Sequence, residues 1–170
     1  IEVNAAPGFR MHLAPSEGIG RNVAEHVIDM LFPPGAPSRV PIFAITGTNG
    51  KTTTTRLIAH ILRNSGHTVG FTTTDGTYIG YDQITKGDNT GPISAQVVLK
   101  DPTVDVAVLE TARGGIIRSG LGFDQADIGV VLNVAEDHLG MKDVNTLEDL
   151  ARVKSVVPRA VSKRGYAVLN

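Results

Sequence analysis

The stretch AITGTNGKTTTTRLI at residues 44–58 constrains the fold more than any other segment of this chain. The apolar run IFAIT (42–46) predicts a strand, and the residues from about Lys51 to Asn64 predict a helix. A strand, a glycine turn and a helix in that order form a phosphate-binding unit, because the backbone N–H groups at a helix N-terminus face an anion. The common pattern G-x-x-x-x-G-K-[ST] needs glycine at position 45, where this chain has Ile45. The turn is therefore either a degenerate copy of that pattern or the loop of a different nucleotide-binding family with its own spacing.

Composition narrows the class of protein. The chain has 170 residues, a formal net charge of −1, 41% hydrophobic residues and 19% charged residues, which are proportions of a globular protein. Basic and acidic residues are interspersed, so no positive stretch predicts binding to nucleic acid or to an anionic membrane. The absence of cysteine excludes disulfides, thiolate metal sites and cysteine nucleophiles. We therefore expect a cytoplasmic protein whose partners include neither nucleic acid nor membrane.

The order of segments indicates two parts joined by a linker. Residues 20–31 place apolar side chains at helical spacing. The segment FPPGAPSRVP follows with four prolines and a glycine, which is typical of a linker because proline removes backbone donors and fixes φ. We assign residues 33–40 to this linker. The chain begins at Ile1 and ends in YAVLN, which resembles a strand without a following turn, so we expect a segment of a longer protein.

The region after the linker predicts an α/β fold. Besides residues 42–46, the apolar runs of strand length are TVGFTT (68–73), DVAVLET (105–111), IGVVLN (128–133) and YAVL (166–169). Helical patterns near 93–100 and 145–157 alternate with them, which favours a mostly parallel sheet with helices on both faces. In such sheets ligands bind at the carboxyl ends of the strands. In the helix that follows the glycine turn, the expected apolar face consists of Leu57, Ile58, Ile61 and Leu62.

The residues of the glycine turn suit phosphate binding. Gly47 and Gly50 allow backbone N–H groups to point inward, Lys51 can reach terminal phosphates, and the hydroxyl of Thr52 can bind Mg²⁺. The alternative is an ordinary turn with a solvated lysine, but this sequence directly after a strand favours phosphate binding.

At this point the chain resembles a known family. TGTNGKTTT is similar to the phosphate loop of Mur ligases and folylpolyglutamate synthases, whose shorter spacing lacks the earlier glycine. Further family motifs follow in order over roughly residues 40–170, namely a strand-end glutamate (Glu110), an N-x-x-x-D-H motif (Asn133, Asp137, His138) and a helical lysine (Lys154). The resemblance implies nucleotide contacts by Gly47, Thr48, Asn49, Gly50, Lys51, Thr52, Thr53 and Asn133.

The resemblance also implies the chemistry. Joining an amine to an unactivated carboxylate requires an acyl phosphate made from ATP, with two Mg²⁺ ions neutralising the developing charge. Thr52 and Glu110 are expected to hold one Mg²⁺, and His138 contributes to the second, helped by a carbamylated Lys154. The implied catalytic residues are Lys51, His138 and Lys154. Taken singly, Glu110 could be a strand-end charge, and His138 and Lys154 could be solvated side chains.

Two loops, TTTDGTYIG (72–80) and KGDNTGP (86–92), resemble Mur ligase segments that approach the acceptor substrate. They make Thr73, Asn89 and Thr90 candidate substrate contacts. Turns of this composition are also found in loops without a function.

The first twelve residues, IEVNAAPGFRMH, resemble the last magnesium motif of the ATP-grasp fold, with Glu2 and Asn4 as Mg²⁺ ligands. This resemblance assigns residues 1–32 to the tail of an ATP-grasp domain and residues 41–170 to a Mur ligase-like central domain, truncated at its C-terminus. The combination, together with ETARGGIIRSGLGF after Glu110, resembles the cyanophycin synthetase family.

The cyanophycin synthetase resemblance implies two reactions. An ATP-grasp part adds aspartate to a poly-aspartate backbone, and a Mur-like part joins arginine to the aspartate β-carboxylates. The expected partners are ATP, aspartate, arginine and a cyanophycin primer, and we expect a homo-oligomer. Arg113 and Arg118 could hold the acidic polymer or could be surface arginines. The isolated segment is expected to be inactive.

Two alternatives remain open at the level of sequence. One is a folylpolyglutamate synthase-like or cell-wall Mur ligase, which the ATP-grasp motif and the TARGG segment disfavour. The other is a nucleotide-binding module that has lost catalysis, which the presence of Lys51, Thr52, Glu110 and His138 disfavours.

Overall fold

The computed structural model describes residues 8–136, 140 and 144–170, and it divides the chain into two compact units, residues 1–39 and 40–170. The described part of the first unit contains helices α1 (Arg10–Leu13) and α2 (Val23–Leu31). Asn22 caps α2 by accepting a hydrogen bond from the Glu25 N–H. None of residues 8–39 is buried. The assignment of this unit to an ATP-grasp domain stays a prediction.

The second unit contains a seven-stranded sheet. Its strands are β1 (Ile42–Thr46), β2 (Val69–Thr73), β3 (Gly76–Ile79), β4 (Asp82–Lys86), β5 (Val106–Glu110), β6 (Ala126–Val131) and β7 (Val161–Leu169). They are arranged in the order β4-β3-β2-β5-β1-β6-β7. Neighbouring strands pair in parallel along the series β2-β5-β1-β6-β7. Strands β3 and β4 add an antiparallel hairpin at the β2 edge. The prediction of a mostly parallel α/β sheet is confirmed.

Helices pack on both faces of this sheet. They are α3 (Lys51–Asn64), α4 (Pro92–Lys100), α5 (Arg113–Ser119), α6 (Leu147–Lys154) and α7 (Val156–Arg159). Strand β1 alternates between two apolar cores, because Ala44 packs with Val98 of α4 on one face and Ile45 packs with Ala59 of α3 on the other. Burial on both faces is the reason that the central strands β1 and β5 are almost entirely apolar.

The structure corrects the predicted apolar face of α3. Leu57 and Ile61 are 57% and 55% exposed, while Thr55 and Ala59 are fully buried against the sheet. Small side chains on this face let the helix approach the strands closely. Of the four predicted residues, Ile58 and Leu62 pack on the core.

Two further segments differ from the prediction. Residues 76–86 form the β3–β4 hairpin, which replaces part of the loop expected at 72–80, and the helix expected at 145–157 is divided into α6 and α7. Among the residues that the structure describes, no helix is both long and apolar enough to span a membrane.

Candidate functional site

The site lies at the carboxyl edge of the parallel strands, around the end of β1. The neighbours of β1 in the sheet are β5 on one side and β6 on the other. Consequently the loop after β1 is flanked by Glu110, the last residue of β5, and by Asn133, which follows β6. The topology thus brings together three of the motifs that the sequence separates.

The two glycines of the loop have different structural roles. Gly47 has φ of +152°, and a Cβ atom there would lie 3.0 Å from Cβ of Leu132 and 3.3 Å from N of Asn133. Gly50 has φ of +83° and directly precedes α3, without a side-chain cap. The first N–H groups of a helix have no intrahelical acceptor. The N-terminus of α3 therefore presents donors and a positive dipole end to an anion.

Asn133 binds the loop backbone directly. Its Oδ1 accepts hydrogen bonds from the N–H groups of Thr48 (3.1 Å) and Asn49 (2.9 Å), and its Nδ2 donates to the carbonyl oxygen of Asn49 (3.1 Å). The Thr48 hydroxyl donates to the carbonyl of Ala135 (3.2 Å) and accepts from the Ala135 N–H (3.0 Å). The loop is thus hydrogen-bonded to the segment after β6.

Two lysines contact carbonyl groups of the same loop. Lys51 Nζ donates to the carbonyl oxygen of Thr48 at 2.9 Å, and Lys154 Nζ donates to that of Gly47 at 2.7 Å. Lys154 is only 3% exposed although it lies at the end of α6. Both lysines line a cavity of about 180 Å³, together with Arg113 and Leu150. This small, positively charged cavity beside a helix N-terminus suits phosphate oxygens.

Thr52 and Glu110 form the second part of the site. The Thr52 hydroxyl donates to Glu110 Oε2 at 2.9 Å, and the Thr74 hydroxyl lies 3.2 Å from Thr52 Oγ1. Glu110 is 2% exposed, and its Oε1 has no hydrogen-bond partner among the described residues. Burial raises the pKa of Glu110, while the Thr52 hydrogen bond and the charge of Lys51 act in the opposite direction.

This donor set fits a hard divalent cation. A buried carboxylate oxygen without a donor and two adjacent hydroxyl oxygens are the ligand types that Mg²⁺ prefers. The Thr52 hydrogen bond and the charge of Lys51 offset the burial of Glu110 only in part, since its pKa is still raised, and a bound cation would offset it further. The residues present therefore fit the magnesium site that the sequence predicted at Thr52 and Glu110.

The predicted substrate residues make hydrogen bonds to groups in or directly next to their own loops. Thr73 is buried and its hydroxyl accepts from the Asp75 N–H. Thr90 is buried and its hydroxyl donates to Asp88. Asn89 accepts from the hydroxyls of Thr85 and Ser94 and donates to the Gly87 carbonyl. These contacts give all three side chains a structural role, and their contact with substrate stays a prediction.

Other predicted residues lie near this loop or outside the described structure. Arg118 donates to the Gly114 carbonyl and lines a cavity of about 350 Å³ with Thr90. Thr53 is exposed on α3. The predicted metal and catalytic residues Glu2, Asn4 and His138, and the motif residue Asp137, lie outside the described residues. Sequence reasoning missed Thr74, whose only signal is its position in the TTTDG run before the hairpin.

Comparison with known families gives a match to the Mur ligase middle domain over residues 45–170. Among curated proteins, the chain is 70% identical over all its 170 residues to cyanophycin synthetase of Crocosphaera subtropica and 68% identical to that of Synechocystis sp.. It spans about a fifth of the length of these relatives (20% of each). The resemblance to cyanophycin synthetases noted from the motifs is confirmed.

Solved structures agree with the fold. A UDP-N-acetylmuramoyl-L-alanyl-D-glutamate–2,6-diaminopimelate ligase matches with a TM-score of 0.65 and 26% identity, over 86% of this chain and 29% of that one. E. coli FolC in complex with DHPP and ADP matches with a TM-score of 0.56 and 23% identity, over 76% of this chain and 41% of that one. The second likeness shows the fold alone.

Proposed function

This chain belongs to the Mur ligase middle-domain family, and from that premise we propose that it is the ATP-binding domain of an ATP-dependent amide ligase. One observation carries the proposal: the glycine loop, Lys51 and the Thr52–Glu110 pair converge at one edge of the sheet. Phosphoryl transfer from ATP requires hydrogen-bond donors for the phosphate oxygens next to hard ligands for a metal ion.

The reaction we propose joins arginine to the β-carboxylate of an aspartate residue, which is the reaction implied by the sequence resemblance to cyanophycin synthetases, relatives at 67–70% identity. An oxygen of the β-carboxylate attacks the γ-phosphorus of ATP, the bond to the bridging oxygen breaks, and ADP leaves an acyl phosphate behind. The α-amine nitrogen of arginine then attacks the acyl carbon and loses a proton, and inorganic phosphate leaves. The product is an isopeptide bond.

The residues of the site have distinct roles in this proposal. The N–H groups at the start of α3 bind phosphate oxygens, and Lys51 exchanges its contact with the Thr48 carbonyl for a contact with the terminal phosphates. Thr52 and Glu110 hold Mg²⁺, which supplies charge neutralisation during transfer. Lys154 holds the Gly47 carbonyl and the loop in position. We propose a second metal ligand at His138 and carbamylation of Lys154 as part of the same mechanism.

Further parts of the proposal rest on the sequence motifs. Glu2 and Asn4 are proposed as magnesium ligands of an ATP-grasp site that adds aspartate, and a cyanophycin primer is the proposed acceptor. Thr73, Asn89 and Thr90 are proposed to shape the acceptor loop. We also propose a homo-oligomer that acts in the cytoplasm.

The test is a trapping experiment on the protein that carries this chain. Incubation with MgATP, an aspartate-containing primer and hydroxylamine should give a hydroxamate in the absence of arginine, because hydroxylamine intercepts an acyl phosphate. Addition of arginine should lower the yield of hydroxamate, and ADP should be released in proportion to the arginine incorporated. Tight ATP binding with neither hydroxamate nor ADP release would instead identify a catalytically silent nucleotide-binding module. Activity with a folate or a muramyl peptide in place of the primer would favour the other ligase classes.

A further inference from the structure

We propose that Asn133 is a positioning residue that holds the phosphate loop in its binding conformation by hydrogen bonds to the loop backbone. The inference rests on the proposed function, in which this loop binds the phosphates of ATP. In this proposal Asn133 affects nucleotide binding by ordering the loop and does not contact the nucleotide itself.

The contacts between Asn133 and the loop are specific to an amide side chain. Oδ1 accepts from the N–H groups of Thr48 and Asn49, and Nδ2 donates to the carbonyl oxygen of Asn49. Both ends of the amide are therefore used on two consecutive peptide groups. The Thr48 N–H also reaches the backbone carbonyl oxygen of Asn133 at 3.0 Å, so this donor is shared between two acceptors. The Asn49 N–H has the side chain as its acceptor.

These bonds divide the N–H groups of the loop into two sets. The donors of Thr48 and Asn49 turn toward Asn133, away from any anion. The N–H groups of Lys51, Thr52 and Thr53 start α3 and have no intrahelical acceptor, whereas the Thr54 N–H is bonded to the Gly50 carbonyl. An anion at the loop must therefore meet the second set. The amide of Asn133 decides which peptide groups face the phosphates.

The short spacing of the loop explains why an external anchor is required. Two residues with positive φ, Gly47 and Gly50, lie within four positions, and glycine loses more conformational freedom on ordering than any other residue. Gly47 packs so closely on Leu132 that a side chain there would contact it. The loop therefore rests on the segment that carries Asn133, and the amide fixes it there. Preorganisation of this kind increases affinity by reducing the ordering cost of binding.

The first test is amide hydrogen exchange by NMR on the ligand-free protein that carries this chain. In Asn133→Ala, the Asn49 N–H should exchange at least about tenfold faster because it loses its acceptor. The Thr48 N–H should change less, since the backbone carbonyl of residue 133 remains. Asn133→Asp keeps an oxygen acceptor and should restore protection of Asn49. Amides in the centres of β1 and β5 report whether the sheet is intact in each variant.

The second test is calorimetric titration with MgADP. Asn133→Ala should weaken ADP binding by about tenfold, because the loop must then be ordered on binding. Asn64→Ala removes an exposed asparagine from the far end of α3 and should leave the affinity unchanged.

Two results would overturn the proposal: unchanged exchange at Asn49 in the alanine variant, or unchanged ADP affinity with faster exchange. Failure of the wild-type protein to bind ADP would overturn the proposed function and the phosphate role together. The exchange data, which need no ligand, would still decide whether Asn133 holds the loop.

Discussion

The hydroxyl of Thr52 donates a hydrogen bond of 2.9 Å to Glu110 Oε2, which connects the first turn of α3 with the end of β5. The two residues are 58 positions apart in the chain, and the other carboxylate oxygen of Glu110 is buried without a partner among the described residues. Helix and strand thus hold two hard oxygen ligands next to the phosphate loop before any cation binds.

Glu110→Gln should raise the Mg²⁺ concentration needed for activity, because the substitution removes a charged oxygen ligand and keeps the shape of the side chain. We expect an increase of roughly 10- to 100-fold in the half-saturating Mg²⁺ concentration, by comparison with the loss of groups that support metal sites. The measurement is arginine incorporation against Mg²⁺ at saturating ATP. Glu148→Gln, on an exposed position of α6, is the matched control. An identical Mg²⁺ curve for the Glu110 variant would show that this carboxylate does not bind the metal.

Lys51→Ala should reduce arginine-dependent ADP release by roughly a hundredfold or more, since an ammonium positioned for phosphate oxygens is lost. Aspartate addition, which we assign to a separate ATP site, should be largely spared. Both reactions can be followed in one preparation with labelled arginine and labelled aspartate. Lys100→Ala, exposed at the end of α4, should affect neither. Equal loss of both reactions in the Lys51 variant would argue against separate ATP sites.

Much of the fold could be predicted from periodicity. Strands β1, β2, β5 and β6 are largely buried and rich in apolar residues, so each is recognisable in the sequence. The mostly exposed β7 was predicted only over residues 166–169, whereas it begins at Val161. The β3–β4 hairpin was missed because all of β4 is exposed and its pairing depends on tertiary context, not on an apolar pattern. The apolar face of α3 was rotated in the prediction because Thr55 and Ala59, not Leu57, lie against the sheet.

The site shows a similar division. The loop, Glu110 and Lys154 could be found from motif order along the chain. The contacts between these residues could not be predicted. Lys154 and Gly47, for example, are 107 positions apart in the chain, and their hydrogen bond depends on the register of the whole sheet. Thr74 was missed for the same reason, since its hydroxyl approaches Thr52 only once the turn between β2 and β3 forms.

Asp149 should make the stability of α6 dependent on pH. Its carboxylate accepts hydrogen bonds from the hydroxyl and N–H of Thr146 and from the N–H of Asn145, and the Thr146 side chain is the largest cause that lowers the pKa of Asp149. Because the folded pKa lies below the unfolded one, the unfolded chain binds more protons over that interval. The stabilisation is therefore complete above about pH 4 and is lost as the pH falls through the lower, folded pKa.

Urea unfolding of the wild type and of Asp149→Asn at pH 6, 4 and 3 checks this expectation. The difference in the free energy of unfolding should be largest at pH 6 and should shrink toward pH 3. Asp82→Asn, on the exposed edge strand, serves as the comparison. A difference that stays constant over the three pH values would contradict the role given to the ionised capping carboxylate.

Two substitutions of Lys154 separate the packing of its buried stem from the action of its terminal nitrogen. Lys154→Met keeps the length of the buried stem and removes the ammonium that binds the Gly47 carbonyl. Because methionine keeps the packing of the buried stem, Lys154→Met should be less destabilising than Lys154→Ala. Lys154→Ala leaves a cavity as well and should lower stability by about 2–3 kcal/mol. If Lys154 acts in the reaction in its carbamylated form, as we propose, the methionine variant should lose roughly a hundredfold in arginine incorporation. Thermal unfolding and arginine incorporation are measured on both variants. A stable methionine variant with wild-type turnover would contradict the proposed role of Lys154 in the reaction.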